Sequence, residues 1–154
     1  MAAEHRTALT VGVVGVALSA VGLAVSIYLT IAHYGTAKVL ACPESGLVNC
    51  TKVTTSSYST QFGVPLAVIG IGFFVVMLLM QLRWADDSRI VRLGRVGFAT
   101  IGAGMALWLI WVELFRLDAI CLYCTAVHGL AIALFVVTAI GTALTAPLPA
   151  LDDE

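Results

Sequence analysis

The chain has few charged residues, which make up 11% of its 154 residues, whereas 60% are hydrophobic. A soluble domain has about 25% charged and about 45–50% apolar residues. The mean hydropathy of +1.02 is correspondingly high. The net charge is −1 and no cluster of basic residues occurs, so nothing in the chain would attract nucleic acid. These deficits predict a membrane protein that contacts the lipid bilayer and does not bind nucleic acid.

The apolar residues fall into four runs, at about residues 8–34, 62–82, 96–114 and 121–144. Each is close to the ~20 residues that an α-helix needs to cross a bilayer. The first run resembles a signal peptide, but it is too long and lacks a small-residue cleavage site. The second opens with Phe62-Gly63-Val64-Pro65, and proline is tolerated in a first helical turn. We therefore predict an all-α membrane protein, a four-transmembrane-helix bundle forming one integral membrane domain over residues 1–154.

The first predicted span also carries a periodic set of small residues. Because they recur alternately three and four positions apart, they form one stripe along a helix, as in closely packed membrane helices. The stripe consists of Gly12, Gly15, Ser19, Gly22 and Ser26. It predicts close packing of this helix against a neighbour.

Residues 35–61 between the first two spans are polar and form the longest predicted loop. This loop holds Cys42 and Cys50, with Pro43 and Gly46 as turn formers, and then a hydroxyl-rich run suited to a short lid helix. The connector at residues 83–95 is rich in arginine, and basic residues near spans favour the cytoplasm. Both termini are therefore expected in the cytoplasm of a multi-pass protein of the inner or plasma membrane. The opposite face carries fewer basic residues, namely Lys38, Lys52 and Arg116.

All four cysteines then lie at the extracytoplasmic face, where disulfides persist. Cys121 and Cys124 open the last span, and two residues three apart share one face of a helix at a separation that a disulfide tolerates. A helix N-terminus also favours thiolate over thiol. A loop pair, Cys42 and Cys50, beside a fixed helix pair predicts a relay of thiol–disulfide exchange.

Two other uses of the cysteines remain possible at this point. Structural disulfides would fit a non-catalytic membrane scaffold, although a bridge between residues three apart closes almost no chain and stabilises little. A four-cysteine zinc site normally needs a second C-x-x-C-like knuckle, which the sequence lacks. We therefore predict no metal site.

The order of these features resembles the vitamin K epoxide reductase family, in its bacterial disulfide-forming branch without a fused thioredoxin-like domain. The resemblance extends over roughly residues 8–144. It rests on Cys42, Cys50, Ser56 or Ser57, Phe62-Gly63-Val64-Pro65 and Cys121-Leu122-Tyr123-Cys124. The chain ends soon after the fourth predicted span, so its redox partner is expected to be a separate protein.

The resemblance implies an enzyme that oxidises a thioredoxin-like (DsbA-like) protein and passes the electrons to a quinone, either menaquinone or ubiquinone. Cys42 would meet the partner, Cys50 would exchange with Cys121, and Cys124 would face the quinone. The residues expected to bind the cofactor are Ser57 (or Ser56), Phe62, Cys124 and His128. Reduction of a vitamin K quinone or epoxide as the main product is an alternative, because the direction depends on the potentials of both couples.

Two ionisable side chains in the predicted spans are open to more than one interpretation. His128 stands where animal relatives have a quinone-contacting tyrosine, but it also fits a hydrogen-bonded packing residue. Glu113 and Arg116 are three residues apart at a helix end, which favours an ion pair over a role in proton handling.

Overall fold

The computed structural model describes residues 2–35, 42, 45–82 and 88–145. Within them the chain forms five α-helices, a 3₁₀ turn at Ser57–Ser59 and two short strands. The helices are α1 (Ala2–Tyr34), α2 (Cys50–Thr54), α3 (Leu66–Leu82), α4 (Arg89–Phe115) and α5 (Leu122–Thr145). The strands are β1 (Thr60–Gln61) and β2 (Val64–Pro65). Pro43 and Lys38, and residues 83–87 of the arginine-rich connector, lie outside the described residues.

Three of these helices are long and apolar enough to cross a membrane, namely α1 over Leu9–Tyr34, α4, and α5 over Leu122–Leu144. The remaining long helix, α3, has 17 residues and is also apolar. The protein is therefore a predominantly helical membrane protein, as the composition indicates. The short α2 and the 3₁₀ turn lie in the hydroxyl-rich run that was expected to form a lid.

Helix α3 begins at Leu66, later than the predicted second span, because the preceding residues form a hairpin. Strands β1 and β2 pair antiparallel, with Gln61 opposite Val64. Phe62 and Gly63, between the strands, have φ of 52° and 78°. Two successive positive φ values are the requirement of a tight hairpin turn. The Phe-Gly-Val-Pro segment therefore ends a hairpin, and Pro65 lies in β2 instead of the first turn of a helix.

Helix α4 begins at Arg89, earlier than the predicted third span. The side chain of Ser88 caps it by accepting a hydrogen bond from the Val91 N–H at 3.4 Å. Arginine interrupts an apolar run but is a good helix former, so hydropathy alone places this boundary too late. The end of the connector is thus the first two turns of α4, and Arg95 is buried there at 3% exposure.

Helix α1 packs against both α3 and α5, and α4 packs against α5. The predicted small-residue stripe of α1 is confirmed, because all its members are buried. A Cβ atom at Gly22 would overlap the ring of Phe74, and one at Gly15 would lie 2.7 Å from the Gln81 side chain. Close approach of α3 to α1 therefore depends on these glycines. The core between the helices consists of Phe74, Met77, Ala99, Ala106, Ala131 and Leu134.

Candidate active site

The polar loop is attached to the start of α5 by backbone hydrogen bonds. Val48 and Ile120 form a parallel bridge. The Asn49 N–H donates to the Ile120 carbonyl at 3.1 Å, and the Ile120 N–H donates to the Leu47 carbonyl at 2.8 Å. Cys50 and Cys121 each follow this pairing within two residues. Two parts of the chain that are far apart in sequence therefore present their cysteines at the same place.

The loop cysteines are joined, and the helix cysteines are free thiols. Cys42 and Cys50 form a disulfide with a Cα–Cα distance of 6.2 Å, while Cys121 and Cys124 are unbonded. Cys50 and Cys121 are both fully buried and belong to one cluster, against which Cys42 and Cys124 pack. Cys50 is the first residue of α2. The inner cysteine of the loop pair therefore lies on a short helix.

Cys121 lies immediately before α5 and its sulfur accepts the backbone N–H of Cys124 at 3.3 Å. A hydrogen bond from the Cys124 side chain lowers the pKa of the Cys121 thiol, and burial opposes this shift. The helix N-terminus thus stabilises a thiolate at the cysteine that adjoins Cys50. Cys124 has a different environment, because it lines a cavity.

This cavity has a volume of about 590 Å³ and is lined by all four long helices, by α2 and by the residues that follow α2. The volume lies within the roughly 300–1,000 Å³ of small-molecule sites. Most of its lining is apolar and comes from α3, α4 and α5. Its polar lining includes His33, Ser56, Tyr58, Glu113, Cys124 and His128. We refer to it below as the thiol cavity.

Tyr58 closes the thiol cavity from the lid and is oriented by α4. Its hydroxyl accepts a hydrogen bond from Arg116 Nη2 at 3.3 Å, so its own proton remains for donation. This pair could not be predicted from the sequence, because the two residues are 58 positions apart and follow no local spacing. The predicted ion pair of Arg116 with Glu113 is wrong, since both side chains have other partners.

Glu113 and His128 form a buried polar pair on the wall of the thiol cavity. Glu113 is 4% exposed and its Oε2 accepts a hydrogen bond from the Thr125 hydroxyl at 3.2 Å. Its Oε1 lies 4.0 Å from Nδ1 of His128, which is 8% exposed. That Nδ1 has no hydrogen-bond partner among the described residues. His128 is therefore not a packing histidine with its hydrogen bonds satisfied.

Some of the residues that were expected to bind the cofactor line the thiol cavity, and others do not. Cys124 and His128 line the thiol cavity, but Ser57 does not. Ser57 is exposed on an adjoining groove of hydroxyl residues, whereas its neighbour Ser56 lies on both the groove and the cavity. Phe62 is fully exposed at the hairpin turn and does not line the cavity. The geometry thus favours Ser56 over Ser57 and leaves Phe62 outside the site.

Comparison with known proteins identifies the family. No curated protein matches the chain. The model of the vitamin K epoxide reductase family matches residues 13–139, which is more than half of the chain and includes all four cysteines. The chain is a membrane protein that belongs to the vitamin K epoxide reductase family, whose members are thiol oxidoreductases.

Proposed function

We propose that the protein is a membrane thiol:quinone oxidoreductase that reoxidises an extracytoplasmic thioredoxin-like protein and so supports disulfide bond formation. One observation carries the proposal. The Val48–Ile120 pairing places Cys50 beside Cys121 in one buried cluster, while Cys124, three residues on, lines the thiol cavity. The two cysteines at the start of α5 therefore connect the loop disulfide with a small-molecule cavity.

The exchange order follows from the burial of the cysteines. Cys42 is partly exposed and Cys50 is buried, so the partner thiolate attacks Cys42 and releases the Cys50 thiolate. Cys50 attacks Cys121 and opens the Cys121–Cys124 disulfide. The partner's second thiolate then releases Cys42, which attacks Cys50 and frees Cys121. The loop disulfide is restored, the partner is oxidised, and two electrons reside on Cys121 and Cys124, which is the bonding pattern of this structure.

The thiol cavity fits a quinone, either menaquinone or ubiquinone. Its apolar lining suits the ring and the lipid tail, and quinone carbonyls need hydrogen-bond donors. The Tyr58 hydroxyl has a proton to donate, and His128 Nδ1 has no hydrogen-bond partner in the described part of the chain. Cys124 supplies the sulfur. Tyr58, Cys124 and His128 would thus hold the quinone, which accepts two electrons and two protons when it is bound.

We propose that α3 completes a bundle of four spans. Its 17 residues reach the lower end of the ~17–25 residues of membrane helices. It packs along α1, whose length is sufficient to span. Four spans place both termini on one side, and the arginines at the start of α4 favour the cytoplasm for that side. The cysteines and the lid then face the periplasm or the cell exterior.

This topology predicts the labelling of single cysteines in intact cells. In a variant whose native cysteines are serine, Ser88→Cys at the start of α4 should not react with a membrane-impermeant thiol reagent. Leu47→Cys, on the loop and 63% exposed, should react and provides the control. Labelling at position 88 without prior lysis would contradict the proposed orientation and the compartment of the cysteines.

The proposed function predicts that the detergent-purified protein retains a quinone, which extraction and mass spectrometry would identify. It should also reduce added quinone with thiol as the electron source. Tyr58→Phe should raise the KM for quinone about two- to tenfold, the range expected for one lost hydrogen bond. Tyr34→Phe is the control, because Tyr34 is 71% exposed and does not line the cavity. A parent protein with neither bound quinone nor thiol-dependent quinone reduction would contradict the proposal.

A further inference from the structure

We propose that Glu113 and His128 hold one proton beside Cys124 and transfer it to the quinone when the Cys121–Cys124 disulfide closes. The inference rests on the proposed function and adds a proton donor to it. The sequence favoured an ion pair with Arg116 for Glu113, and the structure assigns the carboxylate to the thiol cavity instead.

The burial of Glu113 is the first observation. A carboxyl group inside a helix that can span a membrane is costly unless it is paired, and such residues generally serve a function. Its Oε2 accepts a hydrogen bond from Thr125, and the backbone N–H of Cys121 also interacts with the carboxyl group. Its Oε1 faces His128 Nδ1 at 4.0 Å, beyond hydrogen-bonding distance. Among the described residues that ring nitrogen has no hydrogen-bond partner, so a proton can reside between the two side chains.

The ionisable groups around Glu113 show why a proton would be held there. Cys124 and His128 from α5, Tyr58 from the lid and His33 from α1 line the same cavity as Glu113, and Cys121, just before α5, lies close enough for its charge to interact with Glu113. Helix α3 contains no ionisable residue. Arg116, a nearby cation, is engaged with Tyr58. Among the residues described, Glu113 is the only carboxyl group on the cavity wall.

The charge of Glu113 is coupled to the redox state of the thiols. A carboxylate at Glu113 disfavours a thiolate at Cys121, because the two negative charges repel each other. In the reduced state, with a thiolate at Cys121, the pair therefore favours holding its proton. Closure of the disulfide removes the sulfur charge, and the carboxylate can then ionise. Electron loss from the thiols and proton loss from the pair are thus linked.

The step balances in atoms, electrons and charge. Before it, the site contains the Cys121 thiolate, the Cys124 thiol and one proton on the Glu113–His128 pair. The sulfurs form one S–S bond and give two electrons to the quinone. One proton comes from the Cys124 thiol and one from the pair, which together yield the quinol. The site carries one negative charge throughout, first on sulfur and then on Glu113.

The proton can be restored from the outer face. A groove of hydroxyl residues adjoins the thiol cavity and shares His33, Thr54, Ser56 and Ser59 with it. This groove is polar where the cavity is apolar, so it can admit water to the side of the cavity nearest the lid.

The test compares Glu113→Gln, which keeps the size and removes the proton site, with Asp118→Asn. Asp118 is exposed, has φ of 43° and does not line the cavity, and asparagine tolerates this backbone. In quinone-free protein, the infrared difference spectrum between reduced and oxidised thiols should contain a protonated-carboxyl band. The band should persist in Asp118→Asn and disappear in Glu113→Gln. Unchanged spectra in Glu113→Gln would contradict the proton role.

Quinone reduction provides the second readout. Glu113→Gln should lower its rate by about 10²-fold, the lower end for lost general acid catalysis, with partial recovery at lower pH as solvent supplies the proton. Exchange between the partner and the cysteines should persist. If Glu113→Gln does not fold, His128→Gln should shift the same infrared band. A Glu113→Gln rate close to that of the parent at every pH would contradict this inference alone, whereas a parent that reduces no quinone would contradict the proposed function.

Discussion

Replacing Cys124 with serine is expected to lower quinone reduction more than about 100-fold, because a serine oxygen cannot form the disulfide with Cys121 that releases two electrons to the quinone. Cys124 is the one cysteine among the described residues that lines the thiol cavity, so no other thiol of this part of the chain can take its place there. The substitution preserves size, and the bundle should fold normally. Loss of turnover would therefore report on the chemistry at this sulfur.

The same variant should still exchange thiols at the loop. Cys42 and Cys50 are joined to each other and do not depend on Cys124 to react with a partner thiolate. The measurements are quinone reduction by absorbance and partner exchange by trapping the mixed disulfide. Leu122→Ser, half-exposed in the first turn of α5 and away from the cavity, is the matched control and should turn over normally. Quinone turnover within about threefold of the parent would show that Cys124 is not the group facing the quinone.

Replacing Cys42 with serine is expected to trap a disulfide between Cys50 and Cys121 in most of the protein. Cys50 can attack Cys121, but no loop thiol remains to recover the bond. The structure makes this reaction possible, because the Val48–Ile120 bridge places both cysteines in one buried cluster. The bond needs Cα atoms within about 7 Å of each other, which requires the loop to stay attached to the start of α5.

The trapped bond should appear after proteolysis without reductant, as a peptide linking two distant parts of the sequence. Cys42→Ser with Cys121→Ser is the control and should yield no such peptide. Free Cys50 beside an intact Cys121–Cys124 disulfide, under conditions in which the parent turns over, would contradict the relay. A cross-link from Cys50 to the external partner would instead exchange the roles of the two loop cysteines.

The sequence determined the membrane class and the helix-forming segments, and it predicted a redox role for the cysteines. Side chains that face lipid must be apolar, so the helices of the bundle could be located from hydropathy alone. The proximity of Cys121 and Cys124 follows from their spacing of three residues, which brings two side chains together at the start of any helix. The stripe from Gly12 to Ser26 likewise depends only on helical periodicity. The predicted starts of α3 and α4 were less accurate. The observed starts at Leu66 and Arg89 depend on a hairpin and a helix cap, and hydropathy does not reflect the φ values and hydrogen bonds that form them.

Only the tertiary structure decided which residues share the site. The pairing of Val48 with Ile120, the contact of Arg116 with Tyr58 and the approach of His128 to Glu113 join residues on different elements. No local periodicity encodes such contacts, because they depend on how the helices are placed in the bundle. A shift of one residue along the lid separates Ser56 in the cavity from Ser57 outside it. Phe62, which the family resemblance placed in the site, is instead fully exposed at the hairpin turn and does not line the cavity.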